Sequence, residues 1–207
     1  MKKKAKAKAK PAPAAKTAKK PSAKREPNVA KADPALFDPL TPGEVADALR
    51  TLAEDKRLAT MAKVGRYRVI AAEPLVVKPP HELAGHRLAR IVAYDYAADH
   101  TVDACVDLDE SVVVHLELNK SQPMLSRDEE AMAIDIALSD PRVSEKLHMG
   151  EAPQATMHYW GRTPGDLSYA RRSAAVVFGR TDGHASIVAV VDLLDLAVTQ
   201  VVPAEQW

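Results

Sequence analysis

The chain has 207 residues, 46% of them hydrophobic and 28% charged, with a formal net charge of +1; that is enough for one ordinary soluble domain or two small ones. The near-neutral total hides a segregation: residues 1–33 hold twelve basic residues (11 Lys and Arg25) against Glu26 and Asp33, a net +10, while the remainder holds 17 basic and 26 acidic residues, a net −9. Cys105 is the only cysteine, which excludes an intrachain disulfide and a multi-cysteine metal site, and no stretch approaches the roughly 18 uninterrupted apolar residues of a membrane span.

The N-terminal stretch MKKKAKAKAKPAPAAKTAKKPSAKREPNVAKAD has almost no branched or aromatic side chain, so it cannot bury enough apolar surface to offset its ordering entropy. A disordered tail is expected over residues 1–37. It lacks the apolar run of roughly 7–15 residues that a signal peptide needs, and with the single cysteine this reads as a cytoplasmic protein without a membrane partner. Clustered lysines displace counterions from phosphates without reading sequence, so weak nucleic-acid binding is one reading of the tail. A solubilising extension, a misassigned start, or association with the acidic body are the others.

A first module is expected over residues 38–120. Thr41-Pro42-Gly43-Glu44 is a capping box with proline at the first helical position, and Leu40 sits where it can staple to Val45. Val45, Leu49 and Leu52 with Ala46, Ala48 and Ala53 then form an apolar helix face up to about Glu54. β-rich runs follow at Arg66–Val77, Arg87–Tyr96, Thr101–Leu108 and Ser111–Leu118. The third sets Val102, Ala104, Val106 and Leu108 on one face and Thr101, Asp103, Cys105 and Asp107 on the other; the fourth sets Val112, Val114, Leu116 and Leu118 together. Short links at 97–100 and 109–110 predict antiparallel hairpins, in a sheet with one oily and one polar face.

About 85 residues on, the pattern restarts, predicting a second module over residues 121–207. Ser126 to Glu129 repeats the cap, Met132, Ala133, Ile136 and Ala137 supply the apolar face, and Asp140-Pro141 closes this helix and caps a shorter one. Runs at Ala155–Trp160, Ser173–Phe178, Ala185–Leu193 and Leu196–Val202 complete a second set of four strands. The expected fold class is α+β: two modules, each a helix packed on a four-stranded antiparallel sheet.

The order of landmarks, LTPGEVADALRTL, RYRVIAAEPL with Glu73-Pro74, SQPMLSRDEEAMAIDIALSDPRVSEKL with Gln122-Pro123 and Asp140-Pro141, and IVAVVDLLDLAVTQVV, resembles the two small N-terminal domains that precede the catalytic domain of copper amine oxidases. The resemblance spans roughly residues 38–203 and implies a cystatin-like fold for each module. It also implies a link to primary-amine oxidation, with a catalytic amine oxidase chain, or a second copy, as partner. It brings no catalytic, cofactor-binding or metal-binding residue across. The family's topaquinone arises from a tyrosine in Asn-Tyr-Asp/Glu, and here Asn28 and Asn119 precede Val29 and Lys120; its copper uses a His-x-His pair, and no two of the seven histidines are two apart. Copper and topaquinone belong to the catalytic domain, which this sequence is expected to lack.

Other chemistry-bearing residues carry structural readings as well. His81 and His86 flank Glu82, but their spacing differs from the i, i+4 of a zinc-protease helix, and Pro79-Pro80 and Gly85 predict a loop. His115 alternates with apolar residues on a strand. Cys105 lies between Asp103 and Asp107, which disfavour its thiolate. The acidic runs at 107–110 and 128–130 fit a turn and a helix N-terminus. Tyr94 and Tyr96 form an aromatic cluster, as do Tyr159 and Trp160, where Trp160-Gly161-Arg162 suits a partner contact or cover for an interdomain edge. Arg171-Arg172 is expected to open a strand in solvent.

Overall fold

The structure, a computed structural model, describes residues 33–207. The expected disorder and nucleic-acid role of residues 1–32 lie outside the described residues. The tail boundary moves: Pro34–Phe37 form a 3-10 turn capped by Asp33, and Arg87 holds the turn by donating to the carbonyls of Ala35 and Leu36.

Helix α1, Pro42–Glu54, starts on the capping box: the Glu44 N–H donates to Thr41 Oγ1 at 3.2 Å, and the Thr41 N–H donates to Glu44 Oε2 at 2.7 Å. Its inward face buries Ala48 and Leu52. A 3-10 turn at Lys56–Leu58 and helix α2, Ala59–Val64, follow, which the sequence pattern does not mark. They form because Asp55 caps the turn and Gly65, at φ 71°, ends α2 in the left-handed conformation. They add Leu58 and Met61 to the core.

Strands β1 (Tyr67–Leu75), β2 (Leu88–Asp95), β3 (His100–Asp107) and β4 (Val112–Asn119) make an antiparallel sheet in sequence order. The α1 face of this sheet is lined by Ala89, Ile91, Ala93, Val102, Ala104 and Val106. Two expectations are corrected. The second face of β3 is not a wet polar face: Thr101, Cys105 and Asp107 are buried, Thr101 Oγ1 donates to the Ser121 carbonyl, and Asp107 receives the backbone N–H groups of Asp109 and Glu110. On β4 the alternation breaks at a bulge. Val106 pairs with Val113 while Cys105 pairs with His115, so Val113 and Leu116 face the core while Val112 and Val114 are exposed. An inserted residue shifts the period-2 phase, which strict alternation does not anticipate.

The second module repeats this plan at a constant offset of 85 residues. Helix α3 is Arg127–Ser139, against Pro42–Glu54 for α1, and its N-terminus carries the Ser126–Glu129 capping box. Asp140 caps the short helix α4, Pro141–Ser144, and bonds Arg142, as Asp55 does Arg57. Strands β5 (Ala152–Tyr159), β6 (Ser173–Gly179), β7 (Ala185–Asp192) and β8 (Ala197–Pro203) form the second antiparallel sheet, again in sequence order. Even the β3–β4 bulge recurs at Val190/Val191, and Ser111 and Leu196 share a positive φ at the equivalent turn. The core packs Ala133 and Ala137 of α3 against Ala174, Val176, Phe178, Ala189 and Val191; alanine at both helix positions lets backbone and sheet approach closely. The α+β class and the two four-stranded sheets are therefore as read from the sequence. Among the described residues no helix is long and apolar enough to cross a membrane.

Candidate functional site

The chemistry-bearing residues fall into three places: the loop before β2, the seam between the two sheets, and an open groove on the second module. At the first, His81 to His86 form turns rather than a helix, as proline and glycine there predict. The two histidines part company. His81 Nδ1 accepts the Leu83 N–H, while His86 Nδ1 bonds Asp107 Oδ2 at 2.6 Å. His86, Asp107 and Asp109 bring three ligand-type atoms together, but Asp107 is bonded to the turn backbone and Asp109 accepts the Arg87 N–H. The repeat explains the cluster: 85 residues on, Arg171 bonds Asp192, which receives the N–H groups of Leu194 and Asp195 in the same way. A nitrogen-bearing side chain beside that aspartate, His86 in one module and Arg171 in the other, braces a hairpin in both.

Cys105 is buried and shares the lining of a cavity with His81 and Leu83 of this loop. Burial pushes its thiol upward, and Asp107 and Asp103 add to the effect, so it stays protonated and unreactive near neutrality. His115, its partner across the ladder, is exposed on β4.

The seam overturns two sequence readings. Arg172, expected at a solvated strand start, and Glu129, expected as a solvated helix-dipole residue, are both 0% exposed and pair with each other. The guanidinium donates from Nε to Glu129 Oε1 and from Nη2 to Oε2, both at 2.8 Å, a bidentate geometry. Its remaining bonds go to the carbonyls of Pro123 and Met124 ahead of α3. The first module holds the same arrangement: Arg87 grips Glu44 and the carbonyls of Asp38 and Pro39, each 85 residues earlier. The difference is cover. The first module's β2–β3 hairpin lies over the second clamp, with Tyr96 donating to Glu129 Oε1 at 2.5 Å and the Tyr94 ring 5.0 Å from the Arg172 guanidinium. Tyr94 in turn donates to Asp99 at 2.5 Å and accepts from Gln122. Burial pushes Glu129 upward, but the bonds from Arg172 and Tyr96 outweigh it and hold the carboxyl below its ordinary value. Arg66 donating to the Leu194 carbonyl completes the seam.

The groove, of about 660 Å³, is lined by both tryptophans of the chain. Trp160 and Trp207 are 45% and 48% exposed, unusual for the largest apolar side chains. Trp207 leans on Tyr159 with ring centroids 5.0 Å apart, and Trp160 sits edge-on to His158. Tyr159 donates to Asp166, whose other oxygen accepts the Ser168 N–H. His158 Nε2 is buried without a partner among the described residues, and burial lowers its pKa, so the ring is neutral. These groups offer ring faces for stacking and amides for hydrogen bonding, and no nucleophile is paired with a base. Trp160-Gly161-Arg162 was singled out in the sequence; Trp207, 47 positions after Trp160, could be joined to it only by the fold.

No protein-family model matches the chain, and no curated protein matches it. Among solved structures it is similar to a copper-containing benzylamine oxidase from Hansenula polymorpha, with 12% identity and a TM-score of 0.47 over 81% of this chain. It covers 30% of that chain. The likeness concerns the arrangement of helices and sheets only.

Proposed function

We propose that residues 38–207 act as a non-catalytic interaction unit related to the domain pair that precedes the catalytic domain of copper amine oxidases, serving primary-amine oxidation as a subunit. The observation that carries the reading is the use made of the buried ionisable groups: Arg172, Glu129, Asp107 and Asp192 are all committed to bracing the fold, and none faces an open cavity with a free proton-transfer partner. The ordered sequence landmarks and the doubled helix-on-sheet plan support the family relationship. The residues do not fit the family's cofactors. No tyrosine follows an asparagine, no two histidines are two apart, and His86 and His184 are paired with aspartates.

The test is metal analysis and redox-cycling quinone staining of the purified chain, with hydrogen peroxide release from primary amines as the activity readout. No stoichiometric copper, no stain and no peroxide are expected; quinone staining with amine turnover would sink the reading. Co-purification with a chain bearing Asn-Tyr-Asp/Glu, and amine oxidation only by the complex, would establish the subunit role.

The charge segregation favours a second reading, a nucleic-acid-binding protein acting through residues 1–33. It predicts binding that falls steeply with salt, ignores sequence and disappears when those residues are deleted. Binding that survives the deletion refutes it.

A further inference from the structure

The two sheets leave four edge strands among the described residues: β1, β4, β5 and β8. A bare edge is a template for another strand, and proteins guard against that with proline, charge or cover. Three edges are guarded by proline: Pro74 in β1, Pro153 in β5 and Pro203 in β8. The repeat supplies an internal control for the fourth. On β8, Arg142 donates to the Val198 carbonyl at 2.5 Å. On β4 the equivalent arginine, Arg57, bonds Asp55 and leaves the equivalent residue, Val113, alone. Strand β4, VVVHLELN, has no proline and no lysine, and Val112, Val114 and Leu118 are 47%, 37% and 49% exposed.

We infer that this edge pairs with β4 of a second copy, antiparallel about a two-fold axis, joining two first-module sheets into one of eight strands. This deepens the interaction reading above and rests on it. A two-fold axis perpendicular to the sheet keeps like faces together, so it must pass through a residue rather than between two. An axis on Glu117 sets that carboxylate against its own copy. An axis on His115 sets the histidine against itself and Val113 against Glu117. An axis on Leu116 opposes Leu116 with Leu116, His115 with Glu117, and Val114 with Leu118, so that apolar meets apolar and imidazole meets carboxylate. Val114, the extra residue of the bulge, then covers the exposed Leu118 of the other copy. The first module, about 80 residues on its own, is of the size at which one core supplies little stability, and shared sheet burial would add to it.

Sedimentation equilibrium of the full 207-residue chain across micromolar to millimolar concentrations tests this. The expected result is a reversible rise from 22.4 kDa toward twice that mass. His115→Glu alone, and Glu117→Lys alone, should each weaken self-association roughly tenfold, because each spoils two symmetry-related cross-strand pairs. The double variant, which restores an opposite-charge pair, should recover most of the loss. Both sites of change are exposed, and circular dichroism would check that the variants fold. A chain that stays monomeric throughout overturns the inference and leaves the edge to a strand of another protein. A dimer indifferent to all three variants overturns it too and places the contact elsewhere. Neither result touches the interaction reading, which fails on its own test of amine turnover by the isolated chain.

Discussion

Replacing Arg172 with methionine probes the seam, and the repeat provides its control in Arg87→Met. Both arginines grip a capping-box glutamate and two carbonyls just ahead of its helix, and Arg87 also holds the carbonyls of Ala35 and Leu36. Only the second pair is wholly dry, at 0% exposure for both side chains against 16% and 28% for Arg87 and Glu44. Removing Arg172 strands an unpaired carboxylate in a buried site, which costs about 3–5 kcal/mol, a large share of the roughly 5–15 kcal/mol typical of a folded domain. Removing Arg87 leaves Glu44 in contact with water and still bonded to the Thr41 N–H, for a cost of about 1–2 kcal/mol. Urea unfolding followed by circular dichroism measures both. The Arg172→Met deficit should also shrink below about pH 5, because without its partner the buried Glu129 sits above its unfolded value and is relieved by protonation. Equal losses for the two variants, or a deficit independent of pH, would show that burial of the second clamp is not what distinguishes it.

Tyr96→Phe removes the hydroxyl bond from the first module to Glu129; a loss of about 1.5–3 kcal/mol is expected, with an unfolding transition broader than that of the parent chain, or split in two, as the modules uncouple. Glu44 and Asp55 are each held down at about 2 by bonds from Arg87 and Arg57. With unfolded values of 4.5 and 3.8, their contributions are complete above those values and are lost as pH falls toward 2; Glu44→Gln should flatten the acid limb of a stability-against-pH curve, and an unchanged limb would count against the pairing. Gly161→Ala would place a Cβ 2.7 Å from the Tyr169 nitrogen and 2.8 Å from the Ser168 carbonyl carbon, forcing apart the loop that closes the groove, at about 1–3 kcal/mol. Fluorescence from Trp160 and Trp207, the only tryptophans, should shift to the red, whereas an unshifted spectrum would mean the loop does not shape the groove.

The helix starts, the eight strands and the doubling were legible because each has a local signature. Thr41 and Ser126 with glutamate three residues on are complete N-terminal signals, and period-2 runs between short turns mark hairpins. Helix α2 leaves no sequence signature because six residues, Ala59–Val64, are too few for a helical period to show. The phase of β4 departs from strict alternation at a bulge, which leaves no mark in a run of three valines.

The sequence by itself determined the plan of each module and the repeat that relates them, since caps, periodicity and turns act over a few residues. It also settled the lack of the amine oxidase cofactor motifs, which are short strings. Only the tertiary structure decided which charges are dry. Glu44 and Glu129 occupy the same place in the same motif, as do Arg87 and Arg172, and nothing in their neighbourhoods tells them apart. What separates them is the hairpin bearing Tyr94 and Tyr96, which folds over the second pair and excludes water; burial is a property of what lies opposite in space, and that information is nonlocal.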